Sequence, residues 1–519
     1  MRKRIGMRDR MTERELAAAW AATAGEVTTE DGQRVRVVYP GHSNPEAGPD
    51  FVDAVLEMDA GEVRGAVELH RRTSDWLRHG HDRDPRYAGV VLHVVGRHDG
   101  TVGRLPGGRQ LPLLELGGAA GAGLPAAPLA FPCAQAIRSG ADPLPALAAA
   151  GDARFQAAVA RLQARLQATG DAAGREQVAY EALAEALGYS QNVETMGELA
   201  ALAPLAQVRR LAARAPQERA GLEVEAFLLG TAGLLPSQRH LPASRQRDPY
   251  VAALERAWRD VAGGGAGGTD ERADRPRRVR AYEWQTGRVR PENAPVRRVV
   301  ALAHLALRWP AAGGHGGQSP HGEPGRATAL APVGAAGREQ DTATAGPGAE
   351  AGGGVGGLLA ALRQALQAPA ARANAELLRL VLVPCPPGYW ARHWDFGVAA
   401  GEPVALVGPS RAADAVVNVL LPLAAAAGRL DGEPWLVQAA QGAYQAHGLL
   451  AENWVTRLVR QRAGLAGEAA GQVGTARLQQ GLIGIYEGPC KDLRCGACPL
   501  AQGTLAGPAM DLGGVATSE

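Results

Sequence analysis

The spacing of apolar residues changes near residue 143, and this change constrains the fold more than any other feature. Before it, short apolar or alternating runs cover residues 35–41, 50–58, 63–70 and 90–95, with lengths and patterns typical of β-strands. After it, apolar residues recur three and four positions apart, which is the period of an amphipathic helix. The sequence therefore predicts an α/β N-terminal domain followed by a large, mainly α-helical region.

A helix is predicted ahead of the first of these strands. Residues 12–23 begin with Thr12 and carry Glu15 three positions later, which is the pattern of a capping box. The last run, VVLHVV, is apolar on both faces, as in strands buried inside a sheet. The predicted order of elements is helix, strand, strand, strand, connecting segment, strand, that is, one helix and four strands.

Shifts in composition divide the chain into five predicted parts. One long stretch is dominated by Gly, Ala and Pro, a composition that buries too little apolar surface to fold by itself. The predicted parts are an α/β domain (1–125), a helical domain (126–310), this low-complexity disordered insertion (311–357), a second helical domain (358–480) and a tail with a cysteine cluster (481–519).

The charge balance sets few limits on the partners of this chain. Lys and Arg number 55 against 53 Asp and Glu, for a formal net charge of +2, which neither demands nor excludes nucleic acid. The charged start MRKRIGMRDR lacks the apolar segment of a secretory signal. The apolar run 415–428 is too short to span a bilayer and contains Asn418 and Pro422. We therefore expect a cytoplasmic protein with no membrane partner.

Acidic residues stand on two neighbouring strands of the predicted sheet. Asp50 opens one strand, and Glu68 and His70 lie two residues apart on the next, so both side chains point to one face. Converging carboxylates are the ligands that Mg²⁺ or Mn²⁺ takes, and such an ion activates water for phosphodiester hydrolysis. In the alternative interpretation, Asp50 caps a turn and Glu68 lies on a solvated strand face.

These residues resemble a known nuclease motif. Pro49-Asp50 followed by Glu68-Leu69-His70, on this order of elements, is similar to the PD-(D/E)xK nuclease superfamily. The resemblance implies a restriction-endonuclease-like fold, in which the helix packs on a four-stranded mixed sheet. It also implies metal ligation by Asp50 and Glu68 and cleavage of nucleic acid. His70 stands where that superfamily usually has lysine, and the chain has lysine only at positions 3 and 491. A histidine there would assist the attacking water.

Further histidines lie close to this motif in the sequence. His79 and His81 would contact phosphate or donate a proton to the leaving group, so they join His70 as catalytic candidates. Two alternatives stay open: a zinc-dependent hydrolase built on His70, His79 and His81, and a non-catalytic nucleic-acid-binding protein of the same fold. Candidates that would support the site from behind its ligands are Asn44, Asp75, Asp84 and His93.

A second resemblance extends over most of the chain. The segments GPDF (48–51), GAVELH (65–70), SDWLRHGH (74–81) and YAGVVLHVV (87–95) are similar to a bacterial family called domain of unknown function 2851. Later segments share the similarity: ALGYSQN (186–192), GLLP (233–236), RPENAPVRR (290–298) and the C-terminal cysteine cluster. This resemblance implies no activity.

The tail carries the other chemical signal. Cys490, Cys495 and Cys498 have the close spacing of ligands for a structural Zn²⁺ ion or an iron–sulfur cluster. Similar clusters pin C-terminal segments in some DNA-repair enzymes and nucleases. In the alternative interpretation, the three cysteines are free thiols. The candidates for a fourth ligand are Cys133, Cys385 and His447. Arginines that would contact phosphate, unless they form an ordinary solvated helix face, are Arg288, Arg290, Arg297 and Arg298.

Overall fold

The computed structural model describes eleven stretches of the chain. They are residues 11–44, 47–59, 61–100, 103–116, 131–189, 191–263, 279–286, 289–310, 357–385, 388–465 and 471–502. All but the last residue of the predicted insertion 311–357 lies outside these residues, as do residues 117–125 of the predicted α/β domain and the tail beyond residue 502. Arg288 also lies outside them.

The first helix, α1 (Glu13–Ala21), begins with the capping box that the sequence predicts. The backbone N–H of Glu15 donates to the Thr12 hydroxyl, and the Glu15 carboxylate accepts from the Thr12 backbone N–H at 2.8 Å. The helix buries Leu16 and Trp20 completely against the sheet. Each contributes about 1.5–3 kcal/mol by leaving water, so α1 is fixed on one face of the sheet.

The N-terminal sheet is mixed, as predicted, but it is larger than the sequence indicates. Within the described residues it has seven strands, not four. The strands that the sequence does not reveal are two, three or four residues long, too short to show an alternating pattern. The strands are β1 (Gly25–Thr28), β2 (Arg34–Tyr39), β3 (His42–Ser43), β4 (Phe51–Met58), β5 (Gly61–Arg72), β6 (Val90–Arg97) and β7 (Leu113–Glu115).

The middle of the sheet combines a hairpin with a parallel crossover. Strands β4 and β5 are antiparallel and joined by a short turn, whereas β5 and β6 are parallel. The connection from β5 to β6 contains the one-turn helix α2 (Asp75–Arg78) and a 3₁₀ turn, Pro85–Tyr87. It crosses the face of the sheet opposite α1, where Trp76 and Tyr87 pack with Ala66, Val90, Leu105 and Leu111.

The large helical region that the sequence predicts is present. One hydrophobic core contains residues from Phe155 to Trp309 and from Leu358 to Ala476. Its helices and those beside it are α3 (Pro132–Arg138), α4 (Leu144–Gln167), α5 (Ala172–Gly188), α6 (Val193–Leu202), α7 (Leu205–Arg214), α8 (Gln217–Thr231), α9 (Ala243–Gln246), α10 (Pro249–Gly263), α11 (Pro295–Leu307), α12 (Leu358–Leu366), α13 (Ala370–Val381), α14 (Pro409–Ala415), α15 (Leu421–Leu430), α16 (Pro434–Ala446), α17 (Trp454–Ala463), α18 (Ala476–Ile485) and α19 (Pro499–Gln502). A small hairpin, β8 (His393–Asp395) and β9 (Val398–Ala399), lies between α13 and α14.

One helical stretch is longer than its apolar run indicates. A π-helical turn, Val416–Leu420, joins α14 to α15, so that Pro409–Leu430 forms 22 continuous residues. Among the described residues, this stretch is the one long and apolar enough to cross a membrane by length and composition alone. Most of it, 72% of the most apolar window, is buried inside the protein, as in the core helix of a globular domain.

Candidate metal centre

Strand pairing brings together the acidic and histidine residues that the sequence singles out. In the β4–β5 hairpin Phe51 faces Val67, so Asp50 stands opposite Glu68. In the parallel pair, Glu68 of β5 faces His93 of β6. Along β5, Val67 and Leu69 pack on the α1 side, whereas Glu68 and His70 point to the side that the crossover covers.

The two carboxylates are fixed by backbone hydrogen bonds across the hairpin. The Asp50 N–H donates to Glu68 Oε2 at 3.0 Å, and the Leu69 N–H donates to Asp50 Oδ2 at 3.2 Å. Glu68 is only 4% exposed, whereas Asp50 is half-buried. This exchange leaves the second Glu68 oxygen, Oε1, directed at the histidines.

Three histidines converge beside that oxygen, and we call His70, His79 and His81 the histidine group. One ring nitrogen from each lies within 4.8 Å of the other two. His70 Nε2 is 3.1 Å from His79 Nδ1, and Glu68 Oε1 is 3.3 Å from His81 Nε2 and 3.6 Å from His70 Nε2. The group and Glu68 thus present four donor atoms to one small volume.

The crossover folds tightly enough to return His79 and His81 to the end of β5. His79 ends the one-turn helix α2, and Gly80 follows in the left-handed region at φ 75°. The His81 N–H then bonds to the Trp76 carbonyl at 3.2 Å. A glycine accepts this backbone conformation without the steric cost of a side chain.

The aromatic side chains of Trp76 and Tyr87 pack against the histidine group. Trp76 is fully buried, and its indole N–H donates to the Arg104 carbonyl at 2.9 Å. The His81 ring stacks on Tyr87 with centroids 3.8 Å apart. Tyr87 was not a candidate from the sequence. No periodic pattern in the sequence links Tyr87 to His79 and His81, so the sequence does not indicate that Tyr87 belongs to the site.

His93 contacts the group from the neighbouring strand. Its side chain is fully buried, and its Nε2 lies 2.9 Å from His70 Nδ1. That contact fixes the His70 ring so that the opposite nitrogen, Nε2, faces Glu68 and His79. The second ring nitrogen of a histidine ligand commonly has such a partner.

Burial shifts the pKa values of His70, His93 and Glu68. Burial, together with neighbouring His93, His81 and His79, lowers the pKa of His70 to about 2. Burial also lowers the pKa of His93 to about 3. For Glu68, burial raises the pKa, and the nearby His81 opposes that rise. Neutral imidazoles are the form that binds metal ions.

The remaining support candidates lie around the site but do not enter it. The Asn44 amide donates to the Pro49 carbonyl at 2.9 Å, so Asn44 holds the loop before Asp50. Asp75 accepts from the Arg72 N–H and pairs with Arg78 at 2.7 Å. Asp84 caps the 3₁₀ turn and bonds to Arg86.

Two of the proposed phosphate contacts are wrong, because Arg297 and Arg298 are buried in α11, with 0% and 5% of their surfaces exposed. Their guanidinium groups donate to backbone carbonyls, including those of Trp390 at 3.0 Å and Leu406 at 2.9 Å. They hold the segment after α13 in place. Arg290 remains exposed.

Comparison with known proteins gives a family without an assigned activity. A family model described as "Protein of unknown function (DUF2851)" matches residues 13–312, which include Asp50, Glu68 and the histidine group. The comparisons with curated proteins and with solved structures found no match. The similarity expected for segments after residue 312 stays a prediction.

Proposed function

Since this chain belongs to the DUF2851 family, whose description names no activity, we propose its function from the histidine group: metal-dependent hydrolysis of phosphodiester bonds in nucleic acids. The observation that carries the proposal is the convergence of three histidine nitrogens within 4.8 Å, with Glu68 Oε1 beside two of them. A metal ion bound by these four donors would account for their convergence.

The donor set favours one class of ion. Three imidazole nitrogens with one carboxylate oxygen suit a divalent ion such as Zn²⁺ or Mn²⁺, whereas Mg²⁺ prefers oxygen ligands throughout. We therefore propose His70, His79, His81 and Glu68 as ligands. This differs from the set of Asp50 and Glu68 alone, for which Mg²⁺ or Mn²⁺ was expected.

In this proposal Asp50 acts beside the ion. Its N–H holds Glu68, and its own half-buried carboxylate lies next to Glu68, where it would accept the proton of the attacking water. When bound, the ion lowers the pKa of its water and stabilises negative charge on the phosphate oxygens. His79 is the exposed member of the group, so substrate would approach from its side.

Two features support a nucleic-acid substrate. A helix on a mixed sheet, with Asp50 directly before β4 and Glu68 on the adjacent strand β5, is the arrangement that the resemblance to PD-(D/E)xK nucleases implies. In addition, residues 70–87 carry five arginines against three aspartates. The side chains of Arg78 and Arg83 are 69% and 89% exposed, and arginine suits phosphate.

A second candidate is a zinc-dependent hydrolase of a small substrate. The observation that favours it is the burial of Glu68, His70 and His81, which leaves His79 as the accessible member. A narrow approach would admit a small molecule more easily than a duplex.

Cleavage assays distinguish these proposals. The purified chain would be incubated with single- and double-stranded DNA and RNA and with small phosphodiesters, each with Zn²⁺, Mn²⁺, Mg²⁺ or chelator. We expect nucleic-acid cleavage with Zn²⁺ or Mn²⁺ that Glu68→Ala, His79→Ala and Asp50→Ala abolish. The matched control is His98→Ala, because His98 bonds to Thr73 outside the histidine group.

Cleavage of small phosphodiesters alone would favour the second candidate. Nucleic-acid binding without cleavage, unchanged by chelator, would favour a non-catalytic binding protein. Cleavage that survives His79→Ala and Glu68→Ala would contradict both hydrolase proposals.

A further inference from the structure

Four of the five cysteines in the chain gather at one place, although one of them is more than 350 residues from the others. Cys133 lies in α3, and Cys490, Cys495 and Cys498 lie between α18 and α19. Cys133 and Cys498 are buried in the same small hydrophobic core, and Cys490 packs against it. The Cys498 N–H donates to the Cys495 carbonyl at 3.1 Å, so Cys495 lies beside them. We call these four residues the cysteine group.

The backbone between α18 and α19 makes several turns around the three C-terminal cysteines. A helical turn with a kink at Gly488 ends at Cys490, Leu493 adopts the left-handed conformation at φ 52°, and a 3₁₀ turn covers Cys495–Ala497. Non-glycine residues adopt that conformation at a cost, so the surrounding contacts must hold the turn. The N–H of Cys498 closes it on the Cys495 carbonyl at 3.1 Å.

A buried arginine faces this group. Arg462 is 3% exposed, and its Nη1 lies 3.1 Å from Cys490 Sγ and 2.9 Å from the Cys490 carbonyl. Its own backbone carbonyl is 3.5 Å from Cys133 Sγ. A buried guanidinium needs negative partners, and thiolates bound to a metal centre would supply them.

The kind of metal centre that four thiolates can hold depends on how far apart they stand. Four thiolates around one Zn²⁺ ion stand about 3.8 Å apart, from a Zn–S length of about 2.3 Å and tetrahedral geometry. Among the residues that the structure describes, the cysteines contribute no set of three ligand atoms within 4.8 Å of one another. Thiolates at the corners of an iron–sulfur cluster stand farther apart, because the iron and sulfide atoms lie between them.

We propose that Cys133, Cys490, Cys495 and Cys498 bind an iron–sulfur cluster through four thiolates. The other candidates for the fourth ligand lie elsewhere. Cys385 is exposed beside the Ala391 carbonyl, and His447 bonds to the Gly448 carbonyl. The cluster is a second site, separate from the proposed hydrolytic centre.

The cluster has a structural consequence for the N-terminal sheet. The segment that carries the cysteine group contacts that sheet through Tyr486, whose hydroxyl donates to Asp53 at 2.6 Å. Arg462 Nη2 also donates to the Tyr39 hydroxyl at 2.6 Å. A cluster bound by the cysteine group would join α3 to the C-terminal segment, and Tyr486 and Arg462 would connect that unit to strands β4 and β2.

The test is the metal content of the full chain, purified without oxygen. We expect iron and acid-labile sulfide in equal molar amounts, with a visible absorption band that bleaches when dithionite is added. Cys133→Ser and Cys495→Ser should each lose most of the iron, whereas the matched control Cys385→Ser should keep the wild-type amount.

Three results would overturn the proposal: zinc in place of iron in the wild-type protein, no metal bound there, or wild-type iron content in Cys133→Ser. The wild-type measurement stands even if a variant fails to fold. Circular dichroism shows whether each variant is folded.

Discussion

The histidine group and the cysteine group differ in how the chain brings their residues together, and the two proposed roles differ in the same way. The histidine group comes from one sheet and its crossover, within 12 residues of sequence, and one member is exposed. The cysteine group joins residues more than 350 positions apart, and Cys133 and Cys498 are buried. An accessible site suits substrate, whereas a buried link between distant segments suits stability.

The largest expected effect is an opposite response of activity and stability. His79→Ala should abolish cleavage while changing the free energy of unfolding by no more than about 0.5 kcal/mol, because His79 is exposed. Cys133→Ser should lower the free energy of unfolding by several kcal/mol, on the scale of about 2–5 kcal/mol for the loss of a covalent link. Cleavage assays and denaturant unfolding measure the two effects. Equal loss of stability in both variants would remove the distinction.

A smaller loss of metal affinity or cleavage is expected when His93, the residue that contacts His70, is replaced. His93→Ala removes the partner of His70 Nδ1 and should reduce metal affinity or cleavage about 10–100-fold. His93→Gln retains a side-chain hydrogen-bonding group and should recover part of that loss. Metal titration of the two variants measures the effect. Identical losses would mean that His93 fills space and does not orient His70.

An effect of pH on stability is expected where the N-terminal sheet contacts the helical region. His42 stacks on Trp454 of α17 with centroids 4.9 Å apart, and burial lowers the pKa of His42 to about 4. Below its unfolded pKa of about 6.5, the unfolded chain binds a proton at His42 that the folded chain does not. The stability that neutral His42 contributes is therefore complete above that pH and is lost as the pH falls toward 4.

We expect a loss on the order of 2 kcal/mol across this range. Denaturant unfolding at a series of pH values measures it, and His42→Gln should show a shallower slope between pH about 6.5 and about 4. An unchanged slope in that variant would assign the acid sensitivity to other groups.

The smallest expected effect concerns the exposed arginines near the histidine group. Arg83→Ala should weaken nucleic-acid binding to all sequences alike and reduce the salt dependence of the logarithm of affinity by about one unit. Stability should not change, because its side chain is 89% exposed. The matched control is Arg214→Ala on α7, far along the chain from the site. The same loss in both variants would indicate nonspecific attraction.

The sequence predicts the elements of the N-terminal region better than their environment. Alternation placed Glu68 and His70 on one face of β5, and the capping box placed the start of α1; both are present in the fold. The short strands β1, β3 and β7 were missed, because two to four residues leave no period to detect.

Long-range contacts could not be predicted from local pattern. Nothing near Cys133 in the sequence distinguishes it from Cys385 as a partner of the C-terminal cysteines; only the packing of α3 on α19 does so. Arg297 and Arg298 have the composition of a solvated helix face, yet tertiary packing buries them against backbone carbonyls. The crossover likewise decides that His79 and His81 meet His70.

The most direct test of the central claim is the number of ions that the histidine group binds. The wild-type chain, Glu68→Ala, His79→Ala and the control His98→Ala would each be saturated with Zn²⁺ or Mn²⁺, and bound metal would be measured per chain. We expect the wild type and His98→Ala to bind one more ion per chain than Glu68→Ala and His79→Ala. Equal binding by all four proteins would contradict a metal centre at the histidine group.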